Sequence, residues 1–402
     1  MRVSTTQIFR NGIGAIQDNQ QGLARTQLQL GTGKRILSPS DDPSGAVQAL
    51  QFRSSVEKTE QYQRNGNIAE QRLRLSETIL TSVGEGLQRV RELAVQGNNG
   101  SQTNETRRYI AGEIRQILDE LVQLSNTRDA NGEYIYAGLT SLTQPFSPGA
   151  GGEVFYNGDD GQRRLQISPV RQLAIGDSGQ AVFMDIPTGN GTFVVRDDPA
   201  NTGGGVIDAG SVTDFTAWVP DDYSIIFSEV GGELVYQVED SGGDIVLGPE
   251  PFREGEAIRF NGIETRIQGT PADGDSFTLS PSENQDLFAT YRQLAEALEA
   301  PVTDTPSRAR LNNAVNRALV NLDQALGNIL DTRASVGARL KTVENQRNIN
   351  EDVLLQLRTT LSEIEDLDYA EAISRFNLQQ TALQAAQQSY VQVQRLSLFN
   401  FI

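Results

Sequence analysis

The side chains in this chain that could do chemistry are carboxylates. Asp41-Asp42, Asp159-Asp160-Gly161, Asp197-Asp198, Asp221-Asp222 and Asp273-Gly274-Asp275 each set acidic groups side by side. Glycoside hydrolysis needs two carboxylates across a sugar bond, and calcium needs several oxygens around one loop. Neither pattern is complete here. No Asp-rich stretch has the full ligand spacing of a calcium loop, and no spaced motif sets an acid against a base. Adjacent Asp residues before a helix or in a Gly/Pro turn cap and close that turn. The chain also has no Cys and no His. Thiolate nucleophiles, imidazole bases, disulfides and zinc sites built on these ligands are therefore excluded. No catalytic residue, cofactor or metal is expected, and the chain reads as a non-enzyme. Trp218, the one Trp, and Tyr223 could stack on a sugar and make a carbohydrate-binding surface, although a lone Trp is more often core.

The elements that carry these residues differ sharply in charge. The net charge of -18 is concentrated in residues 138–285, which hold 7 Lys+Arg against 23 Asp+Glu. Nucleic acid is not an expected partner for such a surface, because phosphates need a basic footprint. Membrane insertion is not expected either: nowhere do about 18 apolar residues run together. No basic stretch followed by a continuous apolar run opens the chain, so no cleaved secretory signal is visible.

Both ends carry helical periodicity. Phe9, Ile13, Ile16, Gln20, Leu23, Gln27 and Leu30 are spaced four and three apart, as are Val336, Leu340, Val343, Arg347, Asn350, Leu354, Leu357, Leu361 and Ile364. That is the seam of a coiled coil. A seam needs a partner: the other end, a further helix or another copy of the chain. From Leu378 to Gln394 the sequence is mostly Gln, Ala, Ser and Thr, then closes on an apolar tail. Phe9, Ile13, Ile16, Leu23, Leu30, Leu354, Leu357, Leu361, Ile364, Leu383, Leu398 and Phe399 are the expected assembly residues.

The first helix should span Thr5 to Leu30 and stop at Gly31-Thr32-Gly33. Asp41 or Asp42 should cap the next, with Pro43 in its first turn. That helix should run from Ser44 to Gln96, with Leu73, Leu80, Leu87 and Ala94 beside a stripe of Ile68, Leu75, Ile79, Val83 and Val90. A third, from Asn104 to Thr127, should fold back on it as an antiparallel hairpin. Residues 138–285 hold 10 of the 14 Pro and 23 of the 38 Gly, with short β-branched runs and an Asn261-Gly262 hairpin signal. Helix should return from Ser282, break at Pro301 to Pro306, and run on from Ser307 to Leu367. The fold class is α+β: a long helical coiled-coil or bundle domain formed by both termini, with an inserted antiparallel β domain. The expected parts are residues 1–45, 46–137, 138–285 and 286–402.

Several segments resemble a known family. Met1-Arg2-Val3-Ser4-Thr5, Gly33-Lys34-Arg35-Ile36, Ser40-Asp41-Asp42-Pro43, the run from Asp368 to Ala385 and Ser397-Leu398-Phe399-Asn400 are similar to bacterial flagellins and their relatives. With Tyr156-Asn157-Gly158-Asp159 and Gln166-Ile167-Ser168-Pro169, the similarity is greatest to the branch that joins hook to filament. Both ends match closely and the insert loosely. The resemblance implies a structural subunit outside the bacterial cell, exported unfolded by the flagellar type III apparatus with an uncleaved N-terminal signal. It implies a cytoplasmic export chaperone on the C-terminal helix. It also implies a ring of subunits lying between the other hook-filament junction protein and flagellin. The bulk filament subunit itself is the alternative.

Overall fold

The structure, a computed structural model, describes residues 5–395. Its helices are α1 (Thr5–Thr32), α2 (Pro43–Asn98), α3 (Asn104–Ser125), α4 (Leu287–Glu299), α5 (Thr305–Glu365) and α6 (Tyr369–Arg395), with short strands between α3 and α4. The class is α+β, helical at both ends. The chain forms two compact units, one of Met1–Arg64 with Asn345–Ile402 and the other of Asn65–Glu344.

The second unit holds the large apolar cores. Apolar residues three and four apart fall on one helix face, so Leu73, Leu80, Leu87 and Ala94 of α2 are buried together. They share one cluster with Ile110 and Ile114 of α3, Phe288, Leu294 and Leu298 of α4, and Leu311, Val315, Leu322 and Ile329 of α5. Arg89 of α2 pairs with Glu113 of α3 at 2.7 Å, and a Cβ at Gly86 would lie 3.5 Å from Ile117, so α2 and α3 run antiparallel. Thr103 caps α3, accepting the Thr106 N–H at 3.1 Å. Ile68 departs from its expected buried stripe and is 49% exposed. It lines a cleft with Arg72 and Leu75 of α2, Asp129 and Glu133 of the following turn, and Ile175.

Helix does not resume at Ser282. Asn284–Gln285 pair with Ile186–Pro187 as strands, and α4 starts only after Asp286, whose carboxylate accepts the Ala289 N–H at 2.6 Å. That cap, rather than the apolar period, sets the boundary. Burial pushes the Asp286 carboxyl above the usual carboxylate range.

The insert contains a five-stranded antiparallel sheet ordered Ile245–Pro251, Glu233–Glu239, Tyr223–Val230, Ser276–Pro281 and Phe193–Asp197. Its inward residues Phe193, Ile225, Phe227, Phe277 and Leu279 meet Ile258, Phe260, Ile263 and Ile267 of a second sheet in one apolar cluster. Asn261 (φ 42°) and Gly262 (φ 76°) turn the chain between two strands of that second sheet, as their types require. Pro249 and Pro251 lie on an outer strand, where a missing N–H costs least.

The insert is held to α5 by side chains four residues apart. Asn313 Oδ1 accepts the Ile207 N–H at 2.9 Å, while its Nδ2 donates to the Gly205 carbonyl at 3.2 Å. Arg317 pairs with Asp197 at 3.3 Å, and Asn321 Oδ1 accepts the Gly189 N–H at 2.8 Å. Positions 313, 317 and 321 share one helix face.

Candidate assembly surface

The first unit is built from α1, α6 and the adjoining parts of α2 and α5. Residues α1 and α6 bring together show them antiparallel. Phe9 and Tyr390 meet edge to face at 6.0 Å, Thr26 Oγ1 donates to Gln379 Oε1 at 2.8 Å, and Gly33 meets Tyr369. The helices approach where α1 is small or polar. A Cβ on Gly12 would lie 3.1 Å from Tyr390 Cδ2, and one on Gly22 would lie 3.2 Å from Gln379 Nε2. Thr26 and Gln29 are 2% and 5% exposed, deeper than any apolar residue described on α1.

Of the apolar seam expected on α1, Phe9 packs on Tyr390 within this contact. Phe9, Ile16, Leu23 and Leu30 are half-buried, Ile13 is 44% exposed, and Gln20 and Gln27 are exposed. α5 runs beside α2 in this unit. Antiparallel pairs Arg53–Glu365 and Glu60–Arg358, each at 2.7 Å, tie the two helices together here. Leu354 is buried, and Leu357, Leu361 and Ile364 are half-buried, as is Leu383 on α6. Leu398 and Phe399 lie outside the described residues. Open apolar surface continues at Leu28, Leu50, Leu355 and Leu378, each more than half exposed.

Among the described residues of this unit, the buried apolar ones are Ala49, Leu354, Leu367 and Ala372. The buried polar ones are Thr26, Gln29, Thr59, Asn350 and Glu365. Neither apolar cluster of the protein reaches into it. A fold stabilised by apolar burial cannot be complete on this inventory.

What orders the unit on its own is a polar latch between the turn after α1 and the corner between α5 and α6. The Arg35 N–H donates to the Glu365 carbonyl at 2.7 Å, and the Leu367 N–H donates to the Gly33 carbonyl at 3.0 Å. Gly33, at φ 70°, takes the left-handed conformation that ends α1. Glu365 is 4% exposed and receives Arg53 at 2.7 Å and Lys34 at 3.2 Å, while Lys34 also reaches Asp366 at 2.7 Å. Gln29 Nε2 donates to the Arg35 carbonyl at 2.7 Å. The hydrogen bond from Lys34 holds the Asp366 carboxyl below its usual value, with Ser362 adding to it, and the same bond raises Lys34.

The paired carboxylates prove to have separate tasks. Asp42 caps α2, accepting the Gly45 N–H at 2.9 Å, and Asp41 accepts the Leu37 and Ser38 N–H groups at 3.0 Å. These backbone donors, first Gly45 for Asp42 and first Ser38 for Asp41, hold both carboxyls below the usual range. The insert's Asp residues serve turns as well. Asp159 accepts N–H groups of Leu139, Thr140 and Gly161, and Asp275 those of Thr202, Gly203 and Ala272. Trp218 packs on Phe193 and Tyr223 at ring distances of 5.8 and 6.3 Å, and the Tyr223 hydroxyl donates to the Val219 carbonyl at 2.9 Å. Sequence reading missed Thr26, Gln29 and Glu365. Their only local signal is position beside the Gly33-Lys34-Arg35 stop.

Comparison with known proteins bears on both ends. Residues 3–141 match the bacterial flagellin N-terminal helical region, and residues 319–402 match the C-terminal helical region. Flagellar hook-associated protein 3 of Escherichia coli (strain K12) is 27% identical over 403 residues, covering 99% of each chain. The crystal structure of flagellar hook associated protein-3 from Legionella pneumophila superposes with a TM-score of 0.76 at 36% identity, over 78% of this chain and 98% of that one. A second structure, from Xanthomonas campestris, gives a TM-score of 0.73 at 32% identity, over 77% and 99%. Flagellin 1 of Proteus mirabilis is 34% identical, but over only 28% of this chain and 31% of that one.

Proposed function

The chain belongs to the flagellin family, within it to the hook-associated protein 3 group, and from that membership we propose how it works as a hook-filament junction subunit. It is a structural component of the bacterial flagellum, which lies outside the cell. The filament-subunit reading has less support, because flagellins match at 24% identity over 89% of the chain or at 34% over less than a third of it, whereas hook-associated protein 3 matches over 99% and its solved structures reach 36% identity.

The first unit is the assembly element, and it is finished by neighbours. One observation carries this: α1 meets α6 through Gly12, Gly22 and Thr26, and leaves Ile13, Leu28 and Leu378 exposed. Apolar edges left open beside a polar internal contact gain stability when adjoining subunits cover them, at about 25 cal/mol per Å². The expected assembly residues other than the buried Leu354, namely Phe9, Ile13, Ile16, Leu23 and Leu30 on α1, Leu357, Leu361 and Ile364 on α5 and Leu383 on α6, supply those edges. The partners are copies of this chain in a ring, the other junction protein on the hook side and flagellin on the filament side. Before assembly, a cytoplasmic chaperone covers the C-terminal helix, and export proceeds through the flagellar apparatus without signal cleavage.

The test is complementation of a deletion strain. The unaltered gene should restore filaments, whereas Leu361→Asp should leave intact hooks without filaments and flagellin in the medium, since a charge would be forced into a covered edge. Normal filaments with Leu361→Asp would remove the assigned edge. Normal filaments in the deletion strain itself would remove the junction role.

A further inference from the structure

Buried tyrosines in this protein have partners for their hydroxyls, and Tyr291 departs from the pattern. Tyr134 accepts from Arg128, Tyr136 pairs with Ser76, Tyr223 donates to the Val219 carbonyl and Tyr236 donates to Glu250. Tyr291 of α4 is 1% exposed, yet among the described residues nothing hydrogen-bonds to its hydroxyl. Burial alone pushes its phenol above the usual value. A polar group held out of water without a partner is costly, so its retention calls for a cause.

Tyr291 lines a cavity of about 280 Å³ between α2 and α3, walled by Val83, Ile117, Leu121 and Leu124. Gly86 keeps it open. A Cβ there would lie 3.5 Å from Ile117 Cγ2 and 4.0 Å from the Tyr291 hydroxyl oxygen, so a longer side chain would fill the space. Apolar walls with a few polar groups turned inward are the make-up of a small-molecule site. Glu85 and Glu120 line the same cavity at exposed positions, and among the described residues neither has an ion-pair partner. Arg89, the cation that also lines it, is already taken by Glu113 at 2.7 Å and Glu92 at 3.1 Å. The mouth is therefore acidic, the walls are apolar, and the buried end offers one hydroxyl free to give or take a hydrogen bond.

We propose that this cavity binds a small arylalkylamine, with its ammonium at Glu85 and Glu120, its ring against the apolar walls and a polar atom at its far end on the Tyr291 hydroxyl. Charge sets the direction: an ammonium at the mouth meets two carboxylates, whereas an anion would face two like charges. Enclosure of the ring supplies the apolar part of the affinity.

Calorimetric titration of the full chain with tyramine, which carries an ammonium, a ring and a para hydroxyl, tests this. The expected result is saturable uptake of one tyramine per chain. Phenethylamine, which lacks the hydroxyl, should bind about fivefold or more weakly. Tyr291→Phe should weaken tyramine by the same factor and leave phenethylamine within about twofold. Glu120→Gln should weaken both amines, whereas Glu105→Gln, on the same helix but outside the cavity, should weaken neither. Gly86→Leu should abolish uptake, and circular dichroism checks that every variant folds. 4-Hydroxyphenylacetate, with a carboxylate at the ammonium end, should not compete. Absence of saturable tyramine uptake, competition by 4-hydroxyphenylacetate as strong as by phenethylamine, or equal loss of both amines in Tyr291→Phe would each overturn the proposal.

Discussion

Glu365 connects three segments of the first unit through one carboxylate. With Lys34 and Arg53 both about half exposed, the ion pairs are screened, and Glu365→Gln should cost about 1–2 kcal/mol. Its effect should be local: faster amide exchange at Gly33, Arg35 and Leu367, and unchanged exchange at Leu80 or Ile225. The latch should also respond at both ends of the pH scale. Lys34 has a raised value, so its contribution is complete below its ordinary 10.5 and fades as pH rises through the raised one. Asp366 has a lowered value, so its contribution is complete above 3.8 and fades as pH falls through the lowered one. Protection of the Leu367 amide should therefore be constant between these limits and decline outside them. At this scale the sequence was legible where bonding is local. Asp42 before Pro43 reads as a cap because its donor, the Gly45 N–H, is three residues away. Glu365 could not be read, since Lys34 and Arg53 lie hundreds of residues off and no periodicity links them.

The helices were legible because their cores repeat. Leu73, Leu80 and Leu87 are each one heptad apart, and all three are buried. Which helix meets which was not legible. Gly12, Gly22 and Thr26 join the seam residue Phe9 in the contact with α6, because small residues let two backbones come closer than leucines would. Gly22→Leu should therefore displace α6, and loss of the Phe9–Tyr390 contact by NMR would report it; an unchanged contact would contradict the packing. The side chains holding the insert to α5 were also hidden, since Asn at 313 and 321 looks like any polar surface position. They are 5% and 4% exposed. Asn313→Ala should leave the Ile207 N–H buried without an acceptor and destabilise the second unit by about 1–3 kcal/mol. Urea unfolding followed by Trp218 fluorescence would measure it, with Asn328→Ala, which donates to the Ala181 and Val182 carbonyls, costing less.

Across the whole molecule the two units should differ in local stability. The second has both apolar clusters, so its amides should exchange only on global opening. The first has four buried apolar residues among those described. In dilute monomer its amides should exchange fast and its helices be cut early by protease, with protection gained on assembly. Equal protection of both units in a verified monomer would count against an assembly element finished by neighbours. The sequence separated a helical frame from an acidic insert because composition changes abruptly near residue 138. It did not reveal that α2 and α5 each contribute to both units, since their periodicity runs on through Arg64 and Asn345.

The hold of α5 on the insert has a practical reach. Asn313 and Asn321 grasp main-chain amides of the insert, and main-chain amides are the same whatever residues they belong to. Apart from Asp197, whose side chain Arg317 holds, residues of the insert beyond Gly189 and Ile207 should therefore tolerate replacement without loosening this grip.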